Sequence, residues 1–114
     1  MLILSKHNFD AVVAENELVV ISFSAEWCAP CRFFARVCEI VAEKDPEVVF
    51  ATIDIETEPD LAKEFGVRSV PAIMILRRRV VVYADTGALS EMQLCDLIQN
   101  AKSLDVDFLL ESVK

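Results

Sequence analysis

Two of the four cysteines in the chain, Cys28 and Cys31, stand with two residues between them in the stretch "ISFSAEWCAPCRFF", residues 21–34. Such a pair can form half of a zinc site, brace a fold as a lasting disulfide, or trade its disulfide with another molecule. The flanks favour the third. The pair follows a β-like run and opens a helical one, so Cys28 is expected at an exposed helix start, where unpaired N–H groups and the helix dipole favour negative charge. That stabilises a thiolate, the nucleophile of thiol–disulfide exchange. Cys31, one turn further on, can reach a mixed disulfide held by Cys28, and Pro30 fits the first turn without losing a needed donor. A zinc site requires further ligands, for which the candidates are Cys38, Cys95 and His7. Cys38 reads as a buried small hydrophobe, Cys95 falls in a separate helix, and His7 is a surface residue. No metal site is expected, although metal binding and inert packing stay open as alternatives.

The elements that must position this pair follow from periodicity. "LIL" at 2–4 is a short strand and residues 8–14 a short helix. "LVVISFS" at 18–24 is apolar on both faces, as a central buried strand should be. From Ala29 to about Glu43, Phe34, Val37, Cys38 and Val41 repeat at helical spacing. "VVFATIDI" at 48–55 is a strand. A helix follows with Thr57 as N-cap, Pro59 in its first turn and Gly66 ending it. Residues 71–76 and 80–84 form a strand pair around a solvated turn, Arg77-Arg78-Arg79. "SEMQ" at 90–93 has capping-box spacing and opens a helix to about Lys102. The order is βαβαβαββα.

Composition sets the outer limits. At 114 residues and 54% apolar content the chain supports one packed core. A formal charge of −8 repels phosphate backbones, so nucleic-acid binding is not expected. No apolar run approaches the roughly 18 residues that a membrane span needs. "MLILSKHNFD" lacks the pattern of a secretory signal, which points to the cytoplasm, where lasting disulfides are rare. The last twelve residues, "SLDVDFLLESVK", form an apolar extension at 103–114, expected to be helical and packed on the domain formed by 1–102, with an arm that docks on a partner as the alternative.

"SAEWCAPC" closely resembles the active-site stretch of thioredoxins, and the order of elements matches their fold. "VRSVPA" at 67–72 resembles the segment around that family's cis-proline, and "GALS" at 87–90 its turn into the last helix. The resemblance implies an α/β thioredoxin fold with a central mixed sheet flanked by helices. It implies Cys28 as attacking thiol, Cys31 as resolving thiol, Pro71 as the cis-proline and Trp27 as the aromatic flank. It also implies that the backbone of Val70 pairs with an extended substrate segment, with Ala29, Pro30, Gly87 and Ala88 completing an apolar binding surface.

The chain departs from the family at the Ala-Pro dipeptide, at Ser24, at the glycine-free hairpin tip, and at Ser22 and Thr52. The last two stand where thioredoxins usually bury an aspartate and a nearby lysine, a position tied to proton transfer. Losing both charges together avoids leaving one buried and unpaired, which costs about 3–5 kcal/mol. The reading is a cytoplasmic, monomeric protein-disulfide reductase without bound cofactor. An NADPH-dependent thioredoxin reductase, implied by the resemblance, returns it to the dithiol. The alternative is a thioredoxin-fold binding module with weak or vestigial redox chemistry.

Overall fold

The computed structural model describes residues 1–105. The elements run β1 (Leu2–Ile3), α1 (Phe9–Glu15), β2 (Leu18–Ser24), α2 (Ala29–Lys44), β3 (Val49–Asp54), α3 (Pro59–Glu64), β4 (Ala72–Arg77), β5 (Val80–Thr86) and α4 (Glu91–Ser103). They build one mixed sheet in the order β1-β3-β2-β4-β5. β3 pairs in parallel with β1 and β2, while β4 is antiparallel to β2 and β5.

β2 lies at the centre and is buried along all but its last residue, which explains its unbroken apolar run. Its alternating side chains serve two cores. Val19, Ile21 and Phe23 pack with Phe9 of α1 and Leu61 of α3. Leu18 and Val20 pack with Phe34, Cys38 and Val41 of α2 and with Leu94 and Ile98 of α4. The same alternation turns Ser22 toward the α2 side of the sheet, with Thr52 of β3 as its cross-strand neighbour.

Helix ends follow local chemistry where the chemistry is local. The capping box at α4 forms as expected: Ser90 Oγ accepts from Gln93 N, and Gln93 Oε1 accepts from Ser90 N. Gly66, at φ +69°, ends α3 in a conformation that suits glycine. Thr57 is not the N-cap of α3, however; Glu58 is, without a side-chain cap bond. Asp54 competes for this segment, its Oδ1 accepting from Glu56 N at 2.8 Å and Thr57 N at 3.3 Å. Pro59 at the helix start leaves one donor fewer to be capped.

The Arg77-Arg78-Arg79 run is not a uniformly solvated turn. Only Arg78 and Arg79 form the tip, both at positive φ (48° and 70°), as a two-residue hairpin turn requires. Arg77 ends β4, half-buried, and its Nη1 donates to the carbonyls of Ala101, Lys102 and Leu104 at 2.6–2.8 Å. Ala101 O also accepts from Leu104 N at 3.4 Å, and Arg77, from another element, adds a shared donor for the carbonyls at the end of α4. Glu17 lies 3.6 Å from the same guanidinium. Of the expected terminal extension, Ser103 belongs to α4, and residues from 106 onward lie outside the described residues.

Candidate active site

Cys28 and Cys31 are joined by a disulfide with Cα atoms 5.2 Å apart, within the usual span for such a bond. Cys28 is the N-cap of α2, and its Sγ accepts the backbone N–H of Cys31 at 3.1 Å. A helix-terminal donor therefore points at this sulfur, the arrangement that favours a thiolate when the bond opens. One expectation needs correction. Cys28 is not exposed: both cysteines are buried, at 3% and 2% exposure, packed with Ala25 against Ile55 and Val70. A helix start is exposed only on the side that no loop covers, and here the Val70 and Ile55 segments cover it. The difference between the two sulfurs thus lies in helix position rather than in accessibility.

The Val70–Pro71 peptide bond is cis, and Pro71 is buried. Val70 packs against the cysteine cluster. Gly87 N donates to Pro71 O at 2.7 Å, tying the loop after β5 to the loop before β4. Gly87 sits at φ +100°, a conformation that side-chain-bearing residues rarely adopt. The structure thus brings Val70 against the cluster that holds both cysteines, and Gly87 onto Pro71. Ala29, Pro30, Gly87 and Ala88 are all exposed, and Trp27 is 68% exposed.

Two partners at this rim escape sequence reasoning. The Trp27 indole Nε1 donates to the Glu56 carboxylate. Glu56 is itself held by the Asp54 turn, so the end of β3 orients the aromatic flank. The acidic run after β3 is visible in the sequence, but not its reach to Trp27, 29 residues earlier. Arg32 Nη1 donates to Glu26 O at 2.6 Å, closing the stretch that bears the cysteines. A charged residue in an exposed helical turn gives no hint of such a backward bond.

On the α2 side of the central strand, Ser22 and its cross-strand neighbour Thr52 form a neutral polar pair. Ser22 is 2% exposed, and Thr52 Oγ1 donates to the Ser22 carbonyl at 3.1 Å. Among the described residues no buried side-chain nitrogen or oxygen lacks a partner. The remaining cysteines do not join the pair. Cys38 lies in the core under α2, where burial, with Glu39 adding to it, pushes its thiol from 9.0 up to about 12. Cys95 is half-buried on α4. No group of three or more His, Cys, Asp or Glu among the described residues could hold a metal ion.

Comparison with known proteins agrees with this geometry. The family model for thioredoxin matches residues 1–100. A Streptomyces coelicolor protein named as a thioredoxin is 47% identical over 110 residues, covering 96% of this chain and 82% of that one. Thioredoxin C-3 of Corynebacterium nephridii is 38% identical over 92 residues, covering 80% and 63% respectively. Among solved structures, the thioredoxin of Fasciola hepatica superposes with a TM-score of 0.82 at 30% identity, covering 89% of this chain and 99% of that one. A mutant thioredoxin from Halobacterium salinarum gives 0.84 at 32% identity, covering 90% and 91%.

Proposed function

The chain belongs to the thioredoxin family and is a thiol–disulfide oxidoreductase, and from that premise we propose how its residues divide the work of reducing protein disulfides. The Cys28 thiolate attacks one sulfur of the target disulfide. A bond forms between Cys28 Sγ and that sulfur, the target's S–S bond breaks, and the departing thiolate takes up a proton. Cys31, deprotonated, then attacks Cys28 Sγ, which releases the second target thiolate and closes the Cys28–Cys31 disulfide. Two electrons pass to the target and none are left over. The observation that carries this assignment is the helix-terminal N–H of Cys31 aimed at Cys28 Sγ. Attack by Cys28 uses the stabilised thiolate, whereas Cys31, inside the first turn, is placed to complete the exchange.

The target's extended backbone lies along Val70, with Trp27, Ala29, Pro30, Gly87 and Ala88 as apolar walls and Pro71 shaping the floor. Strand-like pairing of this kind supplies affinity without strict sequence preference. Thioredoxins typically regain their dithiol from a thioredoxin reductase, and an NADPH-dependent enzyme of that kind is the proposed electron source here. The protein works as a monomer in the cytoplasm, where such a supply keeps thiols reduced. No helix among the described residues is long and apolar enough to cross a membrane. The proposed domain unit is residues 1–102.

Two measurements test the assignment. The protein should accelerate insulin reduction by dithiothreitol, read as turbidity. Cys31→Ser should trap mixed disulfides with target proteins and Cys28→Ser should not; equal trapping by both would overturn the division of roles. The neutral Ser22–Thr52 layer favours one second reading, a binding module with slow redox chemistry. In that case Cys31→Ser would still capture partners while the wild-type chain left insulin turbidity unchanged.

A further inference from the structure

Arg32 occupies the first exposed turn of α2, and its backbone N–H donates to Cys28 O at 3.3 Å. Its guanidinium turns back along the chain to the Glu26 carbonyl at 2.6 Å. The side chain therefore bridges the stretch that holds Trp27, Cys28, Ala29 and Pro30. Other tethers act on the same stretch. Cys28 N donates to Ala25 O at 3.1 Å, Cys31 N donates to Cys28 Sγ, Trp27 reaches Glu56, and the disulfide joins the two sulfurs. Of these tethers the disulfide is covalent, and reduction removes it. What then keeps residues 26–28 over the start of α2 is the set of hydrogen bonds.

We propose that Arg32 is a positioning residue for the second half of the reaction: its bond to the Glu26 carbonyl holds the reduced loop in its oxidised shape, so that Cys31 meets Cys28 when a mixed disulfide must be resolved. This rests on the roles given above to Cys28 and Cys31. The bond forms at least cost in the disulfide, whose covalent link already holds the loop in shape, so by linkage it draws the dithiol and the mixed disulfide toward that same shape. Removing the bond gives the dithiol extra freedom and so favours it, making the internal disulfide harder to form. One hydrogen bond of this kind corresponds to a shift of about three- to tenfold in the thiol–disulfide equilibrium, or about 15–30 mV at about 29.6 mV per tenfold for two electrons.

The sign separates this role from a purely electrostatic one. The charged groups along this rim are Glu26 and Arg32, with Asp54 at the end of β3 and Glu56 just after it. If Arg32 acted only as a cation favouring the Cys28 thiolate, its loss would raise the Cys28 pKa and disfavour the dithiol. The equilibrium would then move the opposite way. A positioning role moves it toward the dithiol and leaves the Cys28 pKa unchanged.

The test compares wild type, Arg32→Met and Arg32→Lys in glutathione buffers, where the protein disulfide and two glutathione thiols exchange with the dithiol and glutathione disulfide. Single-turnover reduction of a disulfide peptide gives the rates of mixed-disulfide formation and loss. Arg32→Met should shift the equilibrium about three- to tenfold toward the dithiol and slow resolution by a similar factor. The first attack by Cys28 and its pKa, read from thiolate absorbance, should not change. Arg32→Lys, which keeps a donor on a long stem, should recover most of both losses. An unchanged equilibrium in Arg32→Met, or a shift toward the disulfide with a raised Cys28 pKa, would overturn the proposal. The underlying roles fail separately, when wild type reduces no disulfide or Cys31→Ser traps none.

Discussion

Placing a carboxylate inside the central strand, by Ser22→Asp, should speed the resolving step and cost stability in a pH-dependent way. Ser22 is 2% exposed on the α2 side of the central strand, and its neighbour Thr52 offers a hydroxyl rather than an ammonium. With no ionisable group at this position in the native chain, Cys31 must lose its proton to water or to the departing sulfur of the target. Wild-type resolution should therefore quicken as pH rises. General acid–base assistance is typically worth about 10²–10⁴-fold. Burial without a countercharge keeps a carboxyl protonated well above its ordinary range, so only a fraction acts as base near neutrality and the expected gain is about tenfold. The same burial sets the stability cost. Below about pH 4 folded and unfolded carboxyls are both neutral and the penalty is small. Above it the unfolded group ionises first, and stability falls by about 1.4 kcal/mol per pH unit until the folded group ionises too. By pH 7 the loss reaches about 4 kcal/mol, a large part of the roughly 5–15 kcal/mol available to a domain. Single-turnover reduction of a disulfide peptide from about pH 6 to about pH 9, with urea unfolding at each pH, reads both effects. A folded Ser22→Asp protein that resolves its mixed disulfide no faster than wild type would refute the reasoning.

Three further outcomes rest on contacts described above. Arg77→Met leaves three carbonyls at the end of α4 without their shared donor. It should lower stability by about 2 kcal/mol in urea unfolding while insulin reduction keeps its rate. Glu56→Ala releases the Trp27 indole, and should raise KM for a protein disulfide about two- to fivefold, a loss of about 0.5–1 kcal/mol, with the alkylation rate of Cys28 unchanged. Cys38, with its thiol raised from 9.0 to about 12, stays neutral in the folded protein. The unfolded thiol ionises first, so stability should decline as pH climbs past about 9, and Cys38→Ala should flatten that decline in thermal melts.

What the sequence discloses is whatever chemistry acts over one or two turns. The bounds of β2 are legible because a strand buried on both faces has an unmistakable apolar run, and the capping box at Ser90 because it needs only four consecutive residues. The cysteine pair at a helix start is legible for the same reason, as is the sheet that the alternating elements imply. Of the features that escape, two join distant segments and one is a local competition. Arg77 reads as part of a polar turn because the carbonyls it caps lie 24–27 residues later. Thr57 reads as a cap because the competing Asp54 turn cannot be weighed from residue type alone. The burial of Cys28 comes from Val70 and Ile55, loop residues that only the folded sheet brings back over the helix.

The hydrogen bond from Gly87 to the Pro71 carbonyl closes the β4–β5 hairpin at the end that faces the disulfide, while the Arg78-Arg79 turn closes it at the other. The two strands therefore form a buckled belt rather than an open fork. An incoming polypeptide cannot prise Pro71 and Gly87 apart to fit a bulky side chain without breaking a main-chain clasp. Side-chain changes at Ala88 or Val70 can alter the lining of this passage, but its gauge belongs to the backbone. On the proposed binding mode, a target disulfide would have to be presented on a slender, extended strand, and the passage would filter shape before any residue is read.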